Sequence, residues 1–184
     1  MNSREALVAQ LRRYMPSDAD DAAHVARIIE LVVSNPRCAD RDCFPGHLTG
    51  SAWVVNAAGD KVLLLLHAKL QRWLQPGGHA DGEFALQDVA LREAQEESGL
   101  SSVILSRDGI FDVDIHRIPA SAREPEHFHY DARFIVAADE AEHLVVTEES
   151  NDLRWVSLSD IERYTTEWSV LRMRDKWQEL RGRV

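Results

Sequence analysis

The chain has 184 residues, of which 45% are hydrophobic and 28% are charged, values that are ordinary for a globular protein with one core. Its formal net charge of −10 excludes a nucleic-acid polymer as the expected partner, because such binding depends on a basic surface. No run of about 18 apolar residues occurs, so we expect no membrane span.

The first 48 residues have the pattern of two helices followed by an irregular segment. Residues 3–15 and residues 21–34 both show apolar positions at helical spacing, and prolines interrupt residues 36–48. We therefore expect residues 1–48 to form an N-terminal helical extension packed on the core, and residues 49–184 to form the main domain. The buried stripe of the second helix is predicted to be Val25, Ile28, Ile29, Val32 and Val33.

The beginning of the chain and its cysteines indicate a cellular compartment. The N-terminal residues are amphipathic and contain no apolar signal core, so we expect a cytoplasmic protein. Cys38 and Cys43 are five positions apart, and no Cys/His pair lies at the spacing of a zinc site. In a reducing cytosol we expect both to be free thiols.

The remainder of the chain alternates between strand patterns and helix patterns. One helix is predicted at 85–98, and Ser159 is expected to cap a last helical region in which Trp168, Leu171 and Trp177 supply apolar contacts. Strands on both sides of one central helix predict a mixed α/β sandwich. The predicted strands are 51–55, 62–66, 103–105, 111–118, 127–136 and 153–156.

Three carboxylates crowd one face of the helix at 85–98. Glu93, Glu96 and Glu97 are spaced i, i+3 and i+4, and these positions are neighbours on a helix surface. Because their mutual repulsion is relieved by a cation, the pattern favours a hard divalent ion such as Mg²⁺, which prefers oxygen ligands. Taken alone, the same pattern also fits a solvated acidic helix face.

This helix and the glycine pair before it resemble the Nudix box, written G-x5-E-x7-R-E-U-x-E-E-x-G-U with U an aliphatic residue. The chain departs from the motif at two positions: Ala94 is a small U residue, and Phe84 stands where the first glutamate belongs. Either Glu83, one residue earlier, substitutes through a shifted loop, or that role is absent. The resemblance is carried by Gly78, Arg92, Glu93, Ala94, Glu96, Glu97, Gly99 and Leu100.

The resemblance implies a Nudix fold, with a mixed sheet between helices, and metal-dependent hydrolysis of a diphosphate linkage. The implied cofactor is Mg²⁺ or Mn²⁺, held by Glu93, Glu96, Glu97 and the backbone carbonyl of Gly78, while Arg92 orients a carboxylate. The implied partner is a small-molecule nucleoside diphosphate derivative. A homodimer stays open, because the N-terminal extension and the apolar C-terminal helix offer surfaces for one.

The general base is expected among glutamates outside the box. Glu148 and Glu149 are favoured because they precede the last strand, and Glu124 and Glu126 are the other candidates. A loop carboxylate of this kind deprotonates water or binds a second ion; the alternative is an ordinary surface acid. His79, directly after the glycine pair, contacts a phosphate or caps the turn.

Two adjacent strands, 111–118 and 127–136, place polar side chains on one face through their alternation. Such a face binds phosphate or ribose, with Arg133 donating two hydrogen bonds and with His127 and His129 as donors or additional ligands. The alternative is the water-facing side of an antiparallel sheet, which is ordinarily polar. The polar residues are Asp112, Asp114, His116, His127, His129, Asp131 and Arg133.

Two other functions compete with hydrolysis. A module that senses a nucleotide-like ligand without turnover is favoured by Phe84, since degenerate boxes occur in such proteins; the intact Arg92 and glutamates argue for turnover. An allylic diphosphate isomerase requires a suitably placed cysteine, whereas Cys38 and Cys43 both precede the core strands. The identity of the substrate is not decided by the sequence.

Overall fold

A computed structural model describes residues 3–122 and 124–182, without the side chain of Ser3. The helices are α1 (Ser3–Arg13), α2 (Ala19–Ser34), α3 (Leu86–Ser98) and α4 (Trp168–Arg181), with a 3-10 helix at Leu158–Arg163. The strands are β1 (Gly46–Val55), β2 (Lys61–His67), β3 (Trp73–Leu74), β4 (Gly77–His79), β5 (Ile104–Leu105), β6 (Asp112–Ile118), β7 (His127–Ala137) and β8 (Ser150–Ser157). Across these two ranges, no helix combines the length and the apolar character that crossing a membrane requires.

The eight strands of the described chain belong to one sheet with the order β3-β2-β1-β7-β5, in which β4 pairs with β1, β6 with β7, and β8 with β2. The amide of Phe128 donates to the Pro45 carbonyl (2.8 Å), and the amide of Ala138 donates to the Val55 carbonyl (3.0 Å). Residue numbers increase along both strands from the first of these bonds to the second, so β1 and β7 run parallel. The other pairs are antiparallel, so the predicted α/β fold with a mixed sheet is confirmed.

The described residues fall into two units. The first contains the residues up to Ser51, together with Gly77–Ala90 and Asp108–Phe134. The second contains Ala52–Pro76, Leu91–Arg107 and the described residues from Ile135 onward. Strands β1 and β7 and helix α3 each continue from one unit into the other.

In the first unit, α1 packs on α2, and α2 packs on β6. Asp18 caps α2, because its side chain accepts a hydrogen bond from the Asp21 amide at 2.8 Å. The predicted stripe is buried at Val25, Ile28 and Val32, whereas Val33 is 59% exposed. Val33 lies about 100° around the helix from Val32, which places it at the edge of the stripe.

Gly50 allows the beginning of α3 to approach β1 closely. A Cβ at this position would lie 2.7 Å from the Leu86 carbonyl oxygen and 3.0 Å from the Val89 Cβ. Any larger residue would push the first turns of α3 away from the strand, because packed interiors have no spare volume there. The glycine therefore fixes where the box helix begins.

In the second unit, β2 pairs with β8 from Lys61↔Ser157 to His67↔Ser150, with an irregularity between Leu66 and His67. The continuous apolar run of β2 is buried, as expected for an interior strand. The Trp177 indole nitrogen donates to the Gly59 carbonyl at 2.9 Å, which anchors α4.

Two expectations for the C-terminal region are wrong. Trp168 was expected to supply apolar contacts, but it is 68% exposed at the first turn of α4. Ser159 was expected to cap a helix, but it lies inside the 3-10 helix Leu158–Arg163, and α4 begins only at Trp168. The spacing of apolar residues identifies a helix, but it does not show which of them pack against other parts of the protein.

Candidate active site

Helix α3 presents the carboxylates because its other face is apolar and because its end is sharply defined. At its C-terminus, the Gly99 amide donates to the Gln95 carbonyl at 2.8 Å, and Gly99 has a φ of +75°. A Cβ on Gly99 would lie 2.7 Å from the side chain of Val145, so glycine is required both by the backbone and by the packing. The buried apolar residues of the helix are Leu86, Val89, Ala90 and Ala94.

The three glutamates are not an ordinary solvated face. Glu97 is only 6% exposed, the Glu93 side chain is 14% exposed, and Glu96 is open to solvent. Burial raises the pKa of Glu93; Arg92 opposes this shift, while the charges of Glu96 and Glu149 add to it. Withdrawing neighbouring carboxylates from water is costly unless a cation compensates their charge.

Arg92 contacts one of these carboxylates. Its Nη2 donates to Glu93 Oε1 at 3.3 Å, forming a partly exposed ion pair on the same helix. This contact restricts the Glu93 side chain, and the orienting task that the resemblance implies for Arg92 stays a prediction.

Among the candidate bases, Glu149 is the one whose charge acts on a glutamate of α3. Glu148 and Glu149 are both exposed, and the charge of Glu149 contributes to the raised pKa of Glu93. The Glu149 carbonyl accepts a hydrogen bond from the Ala68 amide at 2.9 Å, which anchors its backbone. Glu124 instead lies 3.5 Å from Arg41, and Glu126 pairs with Arg117 at 3.0 Å.

Glu83, the neighbour of the missing box glutamate, organises the turn that precedes α3. Its Oε1 accepts a hydrogen bond from the Ala85 amide at 2.8 Å, and its own amide donates to the Ala80 carbonyl at 2.9 Å. Phe84 is half-buried. The carboxylate at 83 therefore has a local structural role.

The glycine pair of the motif lies in the first unit, where β4 pairs with β1 through Gly50↔Gly78 and Thr49↔His79. His79 is half-buried, and burial lowers its pKa to about 4. Its ring centroid lies 5.1 Å from the rings of both His47 and His129. His79 thus belongs to a group of histidines, and its contact with a phosphate stays a prediction.

Strands β6 and β7 pair in the register Asp112↔Arg133, Asp114↔Asp131 and His116↔His129, so the predicted polar face exists. It is not water-facing, because most of its members are buried. Strand β1 adds Thr49 and Ser51, whose hydroxyls both donate to Asp131 at 2.9 Å. Its residues that are less than a tenth exposed are His47, Thr49, Ser51, Asp112, Asp114, His127, Asp131 and Arg133.

The prediction that Arg133 binds phosphate is corrected by its contacts. Its Nε, Nη1 and Nη2 donate to Asp131 (2.8 Å), Asp112 (2.9 Å) and Asp114 (3.1 Å), and the residue is only 1% exposed. Although burial alone would lower it, the three carboxylates hold the pKa of Arg133 above its usual value. Arg133 therefore ties β6 to β7 and is not available to a phosphate arriving from solvent.

The buried end of this polar face carries three histidines in contact. One ring nitrogen from each of His47, His127 and His129 lies within 4.8 Å of the other two. Burial lowers the pKa of His47, and it lowers that of His129 to about 2. His127, predicted to contact substrate, is 1% exposed and enclosed in this cluster, whereas His129 keeps partial exposure.

The place of His47 does not follow from the sequence pattern. The predicted strand begins at residue 51, whereas β1 begins at Gly46, so His47 falls in the segment 36–48 that is predicted to be irregular. Cys43, in the same segment, accepts a hydrogen bond from Asn35 at its Sγ, and Cys38 has a pKa raised to about 11 by burial. Both cysteines are free thiols, as expected.

Comparison with known proteins agrees with the fold. The model of the NUDIX domain matches residues 47–175. "Probable DHNTP pyrophosphohydrolase" of Lactococcus lactis subsp. cremoris (strain MG1363) is 27% identical over 141 residues, which cover 75% of this chain and 81% of that protein.

Two solved structures are similar as well. A NUDIX family hydrolase from Clostridium perfringens is 26% identical, with a TM-score of 0.55 over 73% of this chain and 97% of that one. A C. elegans Ap4A hydrolase, solved as a binary complex, is 15% identical, with a TM-score of 0.60 over 74% of this chain and 98% of that one. The latter likeness concerns the fold alone.

Because the domain match covers most of its length, the chain belongs to the Nudix family. It is a Nudix-type pyrophosphohydrolase. Nudix enzymes generally use divalent metals and act on small nucleotide derivatives. The partly buried carboxylates of α3 fit such a cation by their chemistry, since they offer several oxygen donors on one face.

Proposed function

We propose that the protein hydrolyses the diphosphate linkage of a nucleoside diphosphate joined to another group, by attack of water on phosphorus. Mg²⁺ or Mn²⁺ is held by Glu93, Glu96 and Glu97 of α3. The backbone carbonyl of Gly78 stays a ligand proposed from the motif alone. The observation that carries the proposal is the burial of Glu97 and Glu93 next to a third carboxylate.

The donor set suits a hard cation. Carboxylate oxygens are the ligands that Mg²⁺ and Mn²⁺ prefer, and neighbouring carboxylates are stabilised when a dication shares them. When bound, such an ion neutralises phosphate charge and makes a coordinated water more acidic. Within α3, the guanidinium of Arg92 pairs with Glu93.

The residues around the carboxylates have separable tasks. Arg92 holds the Glu93 side chain in one orientation through the 3.3 Å contact. Glu149 is exposed and interacts electrostatically with Glu93, so it is the preferred acceptor of the proton that the attacking water loses. Glu148, its exposed neighbour, is the second choice.

The substrate class follows from the shared scissile group. The relative from L. lactis is named a probable pyrophosphohydrolase of DHNTP, and the C. elegans structure is that of an Ap4A hydrolase. Both names describe compounds with phosphoanhydride bonds, so we propose the same bond as the target here. The acidic net charge of −10 also fits a small substrate better than a nucleic-acid polymer.

A hydrolysis screen tests this proposal. The panel contains nucleoside diphosphate sugars, Ap4A and DHNTP, each with Mg²⁺, with Mn²⁺ and with EDTA. Wild type is compared with Glu97→Gln and with Asp88→Asn, which removes an exposed carboxylate from the first turn of the same helix. We expect hydrolysis that EDTA abolishes, that Glu97→Gln loses and that Asp88→Asn keeps. Equal hydrolysis in EDTA would overturn the metal requirement.

We further propose that residues 1–48 form a helical extension packed on a domain of residues 49–184, in a cytoplasmic homodimer. The family match begins at residue 47, close to this boundary, and α2 packs on β6 of the main domain. Light scattering of the full chain tests the oligomeric state. A mass of one chain at all concentrations would reject the dimer.

A further inference from the structure

Five histidines from four strands gather at one end of the polar face. His47 of β1 lies 4.9 Å from His127 and 5.0 Å from His129, both of β7, measured between ring centroids. His79 of β4 lies 5.1 Å from His129, and His116 of β6 lies 5.3 Å from it. None of these residues belongs to the carboxylates of α3.

His47 supplies the most informative atom of this group. The residue is 1% exposed, and its Nε2 is buried without a hydrogen-bond partner among the residues that the structure describes. A buried polar nitrogen without a partner costs free energy, because its lone pair has lost water and gained nothing. An acceptor of this kind is stabilised when a cation occupies the space it faces.

Backbone carbonyls set the tautomers of two rings in the manner typical of metal ligands. His47 Nδ1 lies 3.2 Å from the Cys43 carbonyl, and His127 Nδ1 lies 2.8 Å from the Pro125 carbonyl. A carbonyl only accepts, so each Nδ1 carries the proton and each Nε2 keeps its lone pair. Metal-bound histidines are oriented by such contacts on the other ring nitrogen.

The spacing of the nitrogens fits coordination to one ion. His127 Nε2 and His129 Nε2 are 3.3 Å apart. Two ligands at about 2.05 Å from a tetrahedral zinc ion are separated by about 3.3 Å. One ring nitrogen of each of the three histidines lies within 4.8 Å of the other two, so all three can approach a single ion.

We propose that His47, His127 and His129 form a second metal site, which binds Zn²⁺ or a similar borderline divalent ion. His79 lies beside the trio, with its ring centroid 5.1 Å from those of His47 and His129. The site is made of imidazole nitrogens, which favour zinc, cobalt, nickel or copper, whereas Mg²⁺ favours oxygen. It does not depend on the proposed hydrolysis, because it shares no ligand with α3.

The surrounding charges favour a dication at this place. His116 Nδ1 lies 3.1 Å from Asp114 Oδ2, which links the histidines to the carboxylates farther along the face. There, three aspartates surround one guanidinium, that of Arg133, so negative groups outnumber positive ones. This excess attracts a bound dication. Closer to the trio, the charges of Arg41 and Glu124, which are opposite in sign, both act on His47 and His79.

A network without metal explains fewer of these contacts. An N–H···N hydrogen bond between His129 and His127 would account for their 3.3 Å separation. It would leave His47 Nε2 without a partner, whereas a bound ion engages all three nitrogens.

Metal binding to the full chain, stripped with chelator and titrated with Zn²⁺ in a calorimeter, tests the site. Wild type is compared with His47→Gln, with His129→Gln and with Glu97→Gln. His143→Gln is the matched control, since His143 is exposed and lies outside the cluster. Titration with Co²⁺, whose visible absorption differs between tetrahedral and octahedral sites, reports the geometry.

We expect one Zn²⁺ site that survives Glu97→Gln and His143→Gln, and that weakens at least tenfold in each cluster variant. If a cluster variant fails to fold, ¹⁵N spectra of the histidine rings in wild type decide, because Zn²⁺ must shift the Nε2 signals of His47, His127 and His129. Folded wild type that binds no Zn²⁺, or Zn²⁺ binding that only Glu97→Gln removes, overturns the site. Neither outcome affects the proposed Mg²⁺- or Mn²⁺-dependent hydrolysis, which the substrate screen tests separately.

Discussion

Replacing Arg133 with methionine will destabilise the fold and leave substrate affinity unchanged. The guanidinium is 1% exposed and donates to three aspartates at 2.8, 2.9 and 3.1 Å. Methionine keeps much of the volume but leaves the carboxylates buried together without a counter-charge. Removing one partner from a buried ion pair costs about 3–5 kcal/mol of the free energy of unfolding. With a urea m-value of about 2 kcal/mol/M, the unfolding midpoint will fall by about 2 M.

The control for this experiment is Arg117→Ala. Arg117 lies on β6 and pairs with Glu126 at 3.0 Å, but both side chains are more than half exposed. An exposed pair contributes about 0–1 kcal/mol, so this midpoint will move little. A double change, Asp112→Asn with Arg133→Met, will recover part of the loss by removing one repelling charge. A raised KM with an unchanged midpoint in Arg133→Met would refute the structural role and restore the phosphate-binding one.

Two further predictions concern a tight turn and a titrating carboxylate. Gly99→Ala will lower the free energy of unfolding by about 1–3 kcal/mol more than Gly109→Ala. Both glycines have positive φ, but only the Cβ added at Gly99 would lie 2.7 Å from the side chain of Val145. Equal urea midpoints for the two variants would contradict this. Hydrogen bonds from Ser102 and Ser101 lower the pKa of Glu142 to about 2 from 4.5. The difference in free energy of unfolding between wild type and Glu142→Gln is therefore largest above pH 4.5 and declines as the pH falls toward 2. If urea unfolding shows a difference that does not depend on pH, the assignment is rejected.

The sequence predicts the elements well where local periodicity decides them. The box helix was expected at 85–98 and runs over Leu86–Ser98, since its apolar period and the glycine at its end are local signals. Strands 111–118 and 127–136 were expected to pair, and their register confirms a shared polar face. Because alternate residues of a strand point to the same side of the sheet, the sequence shows which residues share a face, but it does not show what covers that face.

The same alternation could not show that the polar face is buried. Its partners come from β1, which is about 80 residues away in the chain and runs parallel to β7, so no local pattern links Thr49 or Ser51 to Asp131. Arg133 was therefore assigned to phosphate, although its partners are aspartates. The cluster around His47 could not be predicted for the same reason, because His79, His127 and His129 are distant from it in the chain.

For the candidate active site, the spacing of the motif located the carboxylates, but it did not predict their environments. Whether Glu93 and Glu97 leave water depends on how α3 packs, which in turn depends on Gly50 and Gly99. The preference for Glu149 over Glu148 likewise comes from its electrostatic effect on Glu93.

The most direct test of the carboxylate site is the turnover number of Glu97→Gln, measured at saturating substrate over a titration of Mg²⁺, beside wild type and Asp88→Asn. The substitution keeps the size of the side chain and removes its charge. We predict a loss of roughly a hundredfold in kcat in a variant that unfolds at no lower urea concentration than wild type, while Asp88→Asn keeps the wild-type rate. A folded Glu97→Gln enzyme with the wild-type rate and the same Mg²⁺ requirement would contradict the assignment of α3 as the metal-binding helix.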